Sequence, residues 1–293
     1  MSSQFISILI FSIAFISCDF RKSVEANLKT GIITKGNGLS CKEVWISVDD
    51  KEVDRNTFVY GEMFLMHFKD MEGFKTENGN VFPGMLMWVS GEAGDTIFRN
   101  EDLYYDYKNG INLSPLLLKA NLTLGSPMHS NHKYKVFIKI WDKKDKGTFT
   151  AEMPFNIIEN DKIKIEKSNA SYDEIYLYSA DRDKAIIDGS VLFNENVYLI
   201  FEGLSGFREI NGSVFPGMKF LAIDNSDKTV MDYPDMFSSD NETGIGTSDF
   251  TTQIYITMKF TPGQVNNPIN CEALLFDKKS NSNIKVITDI NVR

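Results

Sequence analysis

The hydrophobic pattern changes character once along the chain. Residues 5–16 read FISILIFSIAFI, an apolar run of 12 positions interrupted only by Ser7 and Ser12, after MSSQ and ahead of the polar DFRKS at 19–23. A helix needs roughly 20 such residues to cross a bilayer, so this run is too short to span and matches a signal-peptide core. Beyond it, apolar positions come in short bursts separated by Gly, Pro, Asn and Asp, and no helical period lasts more than a turn or two. Lys133 to Trp141, KYKVFIKIW, alternates along its length, the mark of a strand with one buried face.

On this pattern the first half of the chain is predicted to hold strands at 31–35, 43–48, 58–68, 82–90, 116–124, 133–141 and 148–158. The second half is predicted to hold them at 163–166, 174–179, 189–202, 215–223, 250–260, 270–276 and 283–292. About seven strands in roughly 130 residues fit an immunoglobulin-like sandwich. A jelly roll or small barrel is the alternative.

The two sets of strands reflect an internal repeat. Residues 73–85, GFKTENGNVFPGM, match residues 206–218, GFREINGSVFPGM, at nine of thirteen positions and an offset of 133. Outward from this segment, Glu62 and Phe68 meet Glu195 and Phe201, and Asp102-Leu103 meets Asp235-Met236. Trp141-Asp142-Lys143-Lys144 meets Phe276-Asp277-Lys278-Lys279 at an offset of 135, and Val44-Trp45-Ile46 meets Ile175-Tyr176-Leu177 at 131. Small drifts in offset are what loop insertions in two copies of one fold produce, and the period is far longer than the roughly 20–50 residues of a solenoid repeat. The expected fold is therefore all-β: two tandem immunoglobulin-like β-sandwich domains related by internal duplication. The expected division is a signal peptide over 1–17, a tether over 18–28, the first sandwich over 29–159 and the second over 160–293.

Within the repeat, Asn-Gly supplies positive φ for a tight turn and Pro-Gly a second bend, so the segment has a structural task of its own. Phe82, Pro83 and Met85, with Phe215, Pro216 and Met218, also place apolar side chains beside rigid turns, which makes these six the candidate partner-binding residues.

The apolar leader ends in Phe15-Ile16-Ser17-Cys18. This resembles the lipobox of bacterial lipoproteins, in which the cysteine is acylated and becomes the mature N-terminus. The resemblance implies lipidation at Cys18 and a membrane anchor. Together with a composition rich in Lys, Asn, Ile and Phe, it looks like an outer-membrane envelope lipoprotein of the Bacteroidota, on either face of that membrane. Asp95-Thr96-Ile97 resembles the short Asp-Thr-apolar acceptor for O-glycosylation in the same group.

A formal charge of −9, with lysines interleaved among acids, argues against a nucleic-acid partner. Three cysteines are too few for a disulfide scaffold; Cys41 and Cys271 lie in different copies, so two buried free thiols are expected rather than a bridge. His129 and His132 form the closest histidine pair, but a metal site needs three or four ligands and the second copy supplies none at the matching place. Acid groups such as Asp49-Asp50, Asp181 with Asp183, and Asp224 with Asp227 lack the spacing of a calcium loop and read as turn residues. No nucleophile elbow, Walker loop or dinucleotide fingerprint occurs, and no cofactor is expected. The sequence thus points to a non-enzymatic, membrane-anchored protein that binds a protein or glycan or braces an envelope assembly. A polysaccharide-acting hydrolase, or an accessory protein that holds clients along a strand edge, is the alternative.

Overall fold

The alternation is realised as strands throughout the computed structural model, which describes residues 22–263 and 265–293. The apolar run over residues 5–16, expected as a signal-peptide core, and Cys18 lie outside the described residues. The first unit runs β1 (Lys22–Ala26), β2 (Ile33–Asn37), β3 (Glu43–Val48), β4 (Lys51–Val53), β5 (Thr57–Val59) and β6 (Met63–Lys69). It continues with β7 (Pro83–Ser90), β8 (Thr96–Asn100), β9 (Leu117–Thr123), β10 (His132–Asp142) and β11 (Thr148–Ile158). The second runs β12 (Ile163–Ser168), β13 (Glu174–Ser179), β14 (Lys184–Ala185), β15 (Ser190–Val191), β16 (Val197–Glu202), β17 (Ser213–Val214), β18 (Pro216–Asp224) and β19 (Thr229–Tyr233). It ends with β20 (Ile245–Gly246), α1 (Thr247–Thr252), β21 (Gln253–Met258), β22 (Ile269–Asp277) and β23 (Asn283–Val292).

Both units are built alike. In the first, one sheet has the order β1-β2-β11-β10-β7-β8 with β5 parallel to β11, and it faces a sheet of order β4-β3-β6-β9. In the second, β12-β23-β22-β18-β19, with β15 parallel to β23, faces β14-β13-β16-β21. Each unit is an immunoglobulin-like sandwich, with an added N-terminal strand on the edge of the larger sheet. The inward positions follow the period of two: Tyr134, Val136, Ile138 and Ile140 of β10 are buried, while Lys135, Phe137, Lys139 and Trp141 face outward. Phe58, Phe64, Phe68, Phe149 and Phe155 anchor the first core, and Phe201, Phe220, Phe250 and Phe260 the second. Burying one such ring is worth about 1.5–3 kcal/mol, so the high phenylalanine content goes into the sandwich interiors.

Five expectations change. Lys22–Ala26, expected as tether, is a strand paired with β2. The predicted strands 58–68 and 189–202 are each broken, because the first part of each pairs with the last strand of one sheet and the rest with the opposite sheet. A strand follows β7 at Thr96–Asn100 and another follows β18 at Thr229–Tyr233, and neither was expected from the pattern. Residues 250–252, expected to open a strand, close a short helix that buries Phe250. The thiols are free, but Cys41 is half-buried rather than buried.

The units meet at the end of the first sandwich opposite its β10–β11 turn. The Tyr60 ring lies 5.2 Å from that of Tyr176, and Gly61, at φ +89°, approaches so closely that a Cβ there would sit 2.3 Å from the Cβ of Ala185. The Ser130 N–H donates to Glu174 Oε1 at 2.6 Å, with His129 Nδ1 3.6 Å from the same oxygen. Glu174 is 2% exposed, and burial pushes its carboxyl up to about 7 against the opposing Ser130 bonds, with Glu159 and Glu202 adding repulsion.

Candidate binding face

The repeated segment forms the same corner twice. Asn78-Gly79 and Asn211-Gly212 all have positive φ and make the tight turn expected of Asn-Gly. The Lys75 N–H donates to Asp142 Oδ2 at 2.6 Å and the Lys144 N–H to Oδ1 at 2.9 Å; Arg208 and Lys279 repeat this on Asp277 at 2.7 and 2.9 Å. A Cβ on Gly84 would lie 2.1 Å from the Trp141 ring, and one on Gly217 would lie 2.1 Å from Phe276. Asp102 accepts from the Met85 and Tyr104 N–H groups and pairs with Lys143 at 2.7 Å, just as Asp235 accepts from Met218 and Phe237 and pairs with Lys278 at 2.7 Å. Burial alone would raise these two carboxyls, but the lysine and the N–H donors outweigh it and hold both below the ordinary aspartate value.

Most of the six candidate residues therefore belong to the scaffold. Met85 and Met218 are buried in the two cores, and Pro83 and Pro216 are buried at the start of β7 and β18, so these four offer a partner no surface. Phe82 and Phe215 are half-exposed, but each is covered on one side by a lysine, Lys144 at 4.6 Å and Lys279 at 4.9 Å from the ring centre. The apolar residues beside the rigid turns are mainly what makes the turns rigid.

Comparing the two copies by register finds a different surface. On the outer face of the larger sheet of the first unit, Phe137 stands directly opposite Trp88, and the rings stack at 4.7 Å with planes 6° apart. Across the sheet the row runs Arg99, Trp88, Phe137, Glu152, Ile33. Lys135 lies over the Phe137 ring at 5.6 Å and 3.8 Å from Glu152. A shallow depression of about 200 Å³ opens here, lined by Trp88 and Phe137 with Ile33, Lys35, Thr150 and Glu152. In the second unit the equivalent row is Asp232, Leu221, Glu272, Ile287, Lys164, with no aromatic ring. The scaffold is duplicated; the aromatic face is not.

Sequence reasoning missed this pair because Trp88 and Phe137 are far apart in the chain and meet only through strand pairing. The signal was present in the repeat itself, since Trp88 and Phe137 become Leu221 and Glu272 where the flanking core positions keep their character. The other flagged residues do not gather. His129 lies at the junction and His132 starts β10, and among the described residues no group of three or more His, Cys, Asp or Glu is placed to hold a metal ion. Thr96 of the Asp-Thr-Ile triplet is exposed at the start of β8. Among the described residues no helix is long and apolar enough to cross a membrane.

No protein-family model matches this chain, and no curated protein matches it by sequence. Solved structures similar to it include the fibronectin(III)-like modules of Clostridium thermocellum CbhA, at 9% identity and a TM-score of 0.20, covering 85% of this chain and 94% of that one. The collagen adhesin CNA of S. aureus gives 9% identity and a TM-score of 0.19, covering 84% of this chain and 91% of that one. A calcium-binding mutant of β-glucuronidase 2 from Bacteroides uniformis gives 7% and 0.22, covering 86% of this chain and 32% of that one. Superpositions this loose carry no argument about either fold or function, and the sandwich assignment stands on strand order and register.

Proposed function

We propose that this chain is a non-enzymatic envelope lipoprotein, anchored through an acylated Cys18, whose first sandwich binds a glycan on the outer face of its larger sheet. The observation that carries the reading is the stacked Trp88–Phe137 pair on that face, flanked by Lys35, Thr150 and Glu152 and absent from the second copy. The ring surface that the stack and Lys135 leave exposed can bury the apolar face of a sugar, and the polar neighbours supply the few directed hydrogen bonds that give a small-ligand site its specificity. The twin carries Leu221 and Glu272 at the same two places, so the duplicated scaffold does not require the aromatic pair.

The anchor reading rests on the lipobox resemblance at residues 15–18, and the duplicated scaffold supplies a second sandwich beyond the first.

The test is a titration of the full chain with a panel of envelope and dietary oligosaccharides, followed by isothermal titration calorimetry, a readout that does not depend on Trp88. Binding by the natural chain that falls at least about fivefold in a Trp88→Ala/Phe137→Ala variant, with unchanged circular dichroism, is the expected result, since ring stacking is worth about 0.5–1.5 kcal/mol per ring beyond buried area and two rings are lost. Equal binding by the double variant, or no sugar binding at all, would overturn the glycan assignment; release of shorter sugars would turn the reading toward a hydrolase.

A further inference from the structure

We infer that the loop end of the first sandwich rests on the lipid surface, with Tyr105, Tyr107 and Leu113 in the headgroup region. The inference rests on acylation of Cys18, the anchor in the reading above, and adds which end of the molecule faces the membrane.

The reach of the chain from Cys18 sets which end faces the membrane. β1 begins at Lys22, opposite Asn37, and Asn37 lies opposite Thr148, the first residue after the turn between β10 and β11. Only residues 19–21 separate Cys18 from this strand. Four extended steps span at most about 14 Å, so an acylated Cys18 holds that turn and the loops beside it close to the headgroups. The long loop between β8 and β9 belongs to the same end. The Leu103 N–H donates to the Met85 carbonyl at 2.7 Å, Lys143 Nζ to the Tyr104 carbonyl at 2.9 Å, and Val81 pairs with Ile111.

That loop carries three exposed large apolar side chains within nine residues: Tyr105 at 66% exposure, Tyr107 at 52% and Leu113 at 51%. Tyrosine suits the membrane–water boundary because its ring is apolar and its hydroxyl stays wet. Lys108 lies over the Tyr105 ring at 5.2 Å.

The second sandwich is the internal control. Its matching loop keeps the same backbone bonds, Asp240 N–H to the Phe237 carbonyl where the first has Tyr107 N–H to Tyr104, and Val214 paired with Ile245 where the first has Val81 with Ile111. By that alignment Tyr105, Tyr107 and Leu113 become Ser238, Asp240 and Thr247. The copy attached at the far end of the first sandwich, away from the anchor, has polar residues at all three places.

Hydroxyl-radical footprinting of the purified full chain in phosphatidylethanolamine–phosphatidylglycerol vesicles tests this, with no other protein present. Tyr255 and Tyr233 of the second unit, at 56% and 47% exposure, are matched references. Oxidation of Tyr105 and Tyr107 roughly fivefold or more below the references is expected for rings held in the interface. The Cys18 peptide in the same digest reports the anchor. Acylated Cys18 with equal oxidation at all four tyrosines would overturn the membrane-resting surface and leave the anchor standing, whereas an unmodified Cys18 would sink both.

Discussion

Replacing Asp142 by Ala removes the acceptor at the centre of the repeated corner. The carboxylate is 3% exposed and takes the Lys75 N–H at 2.6 Å and the Lys144 N–H at 2.9 Å. A hydrogen bond to a charged acceptor is worth about 1.5–3 kcal/mol, so two lost bonds come to about 3–6 kcal/mol. Lys144 lies in an exposed turn that water reaches, which brings the expected loss to about 3 kcal/mol. Trp45, Trp88 and Trp141 all lie in the first sandwich, so tryptophan fluorescence reports that unit alone, while circular dichroism reports both. With a urea slope of about 2 kcal/mol per molar for a domain of this size, the fluorescence midpoint should fall by about 1.5 M. Asp277→Ala, which removes the twin acceptor, should lower the dichroism transition and leave the fluorescence one nearly in place. A fluorescence shift under about 0.5 M from Asp142→Ala, against that slope, would refute the structural role of the corner.

Gly84→Ala drives a Cβ to 2.1 Å from the Trp141 ring, and the overpacking should cost about 1–3 kcal/mol in the fluorescence transition, with Gly217→Ala doing the same to the second unit against Phe276. Glu174 gives a pH signature. Its carboxyl is raised from 4.5 to about 7 in the folded chain, so the native state holds the extra proton between those values. Stability contributed by this group is therefore greatest below about 4.5 and declines as pH rises to about 7, by up to about 3 kcal/mol. Glu174→Gln should flatten that part of the urea-midpoint profile between pH 5 and 8, and an unchanged profile would remove Glu174 as its source.

The strands with a buried face were legible because alternation and burial are one fact. β7, β10, β11, β18, β22 and β23 each carry an inward apolar row that the core demands. β8 and β19 escaped because no residue of either is buried, so hydrogen bonding holds them to the sheet without an apolar row to announce it. The break at Tyr60–Glu62 was hidden because residues on both sides are apolar, and only Gly61 at positive φ marks where the chain changes sheets. The repeat was fully visible, and its meaning was half read. Met85 and Met218 looked like anchors beside rigid turns, but on a strand starting at Pro83 or Pro216 they fall on the inward side with Met87 and Phe220. Trp88 fell on the outward side of the same strand, and its partner Phe137 could be found only through register.

The most direct test of the account places a photo-crosslinking benzoylphenylalanine at Arg99, exposed beside Trp88 and outside the lining of the depression, and in a second chain at Asp232, its equivalent in the other sandwich. In the intact cells that make the protein, irradiation should give a glycan-bearing adduct at position 99 and none at 232. Adducts at both positions, or at neither, would contradict a binding face confined to the first sandwich.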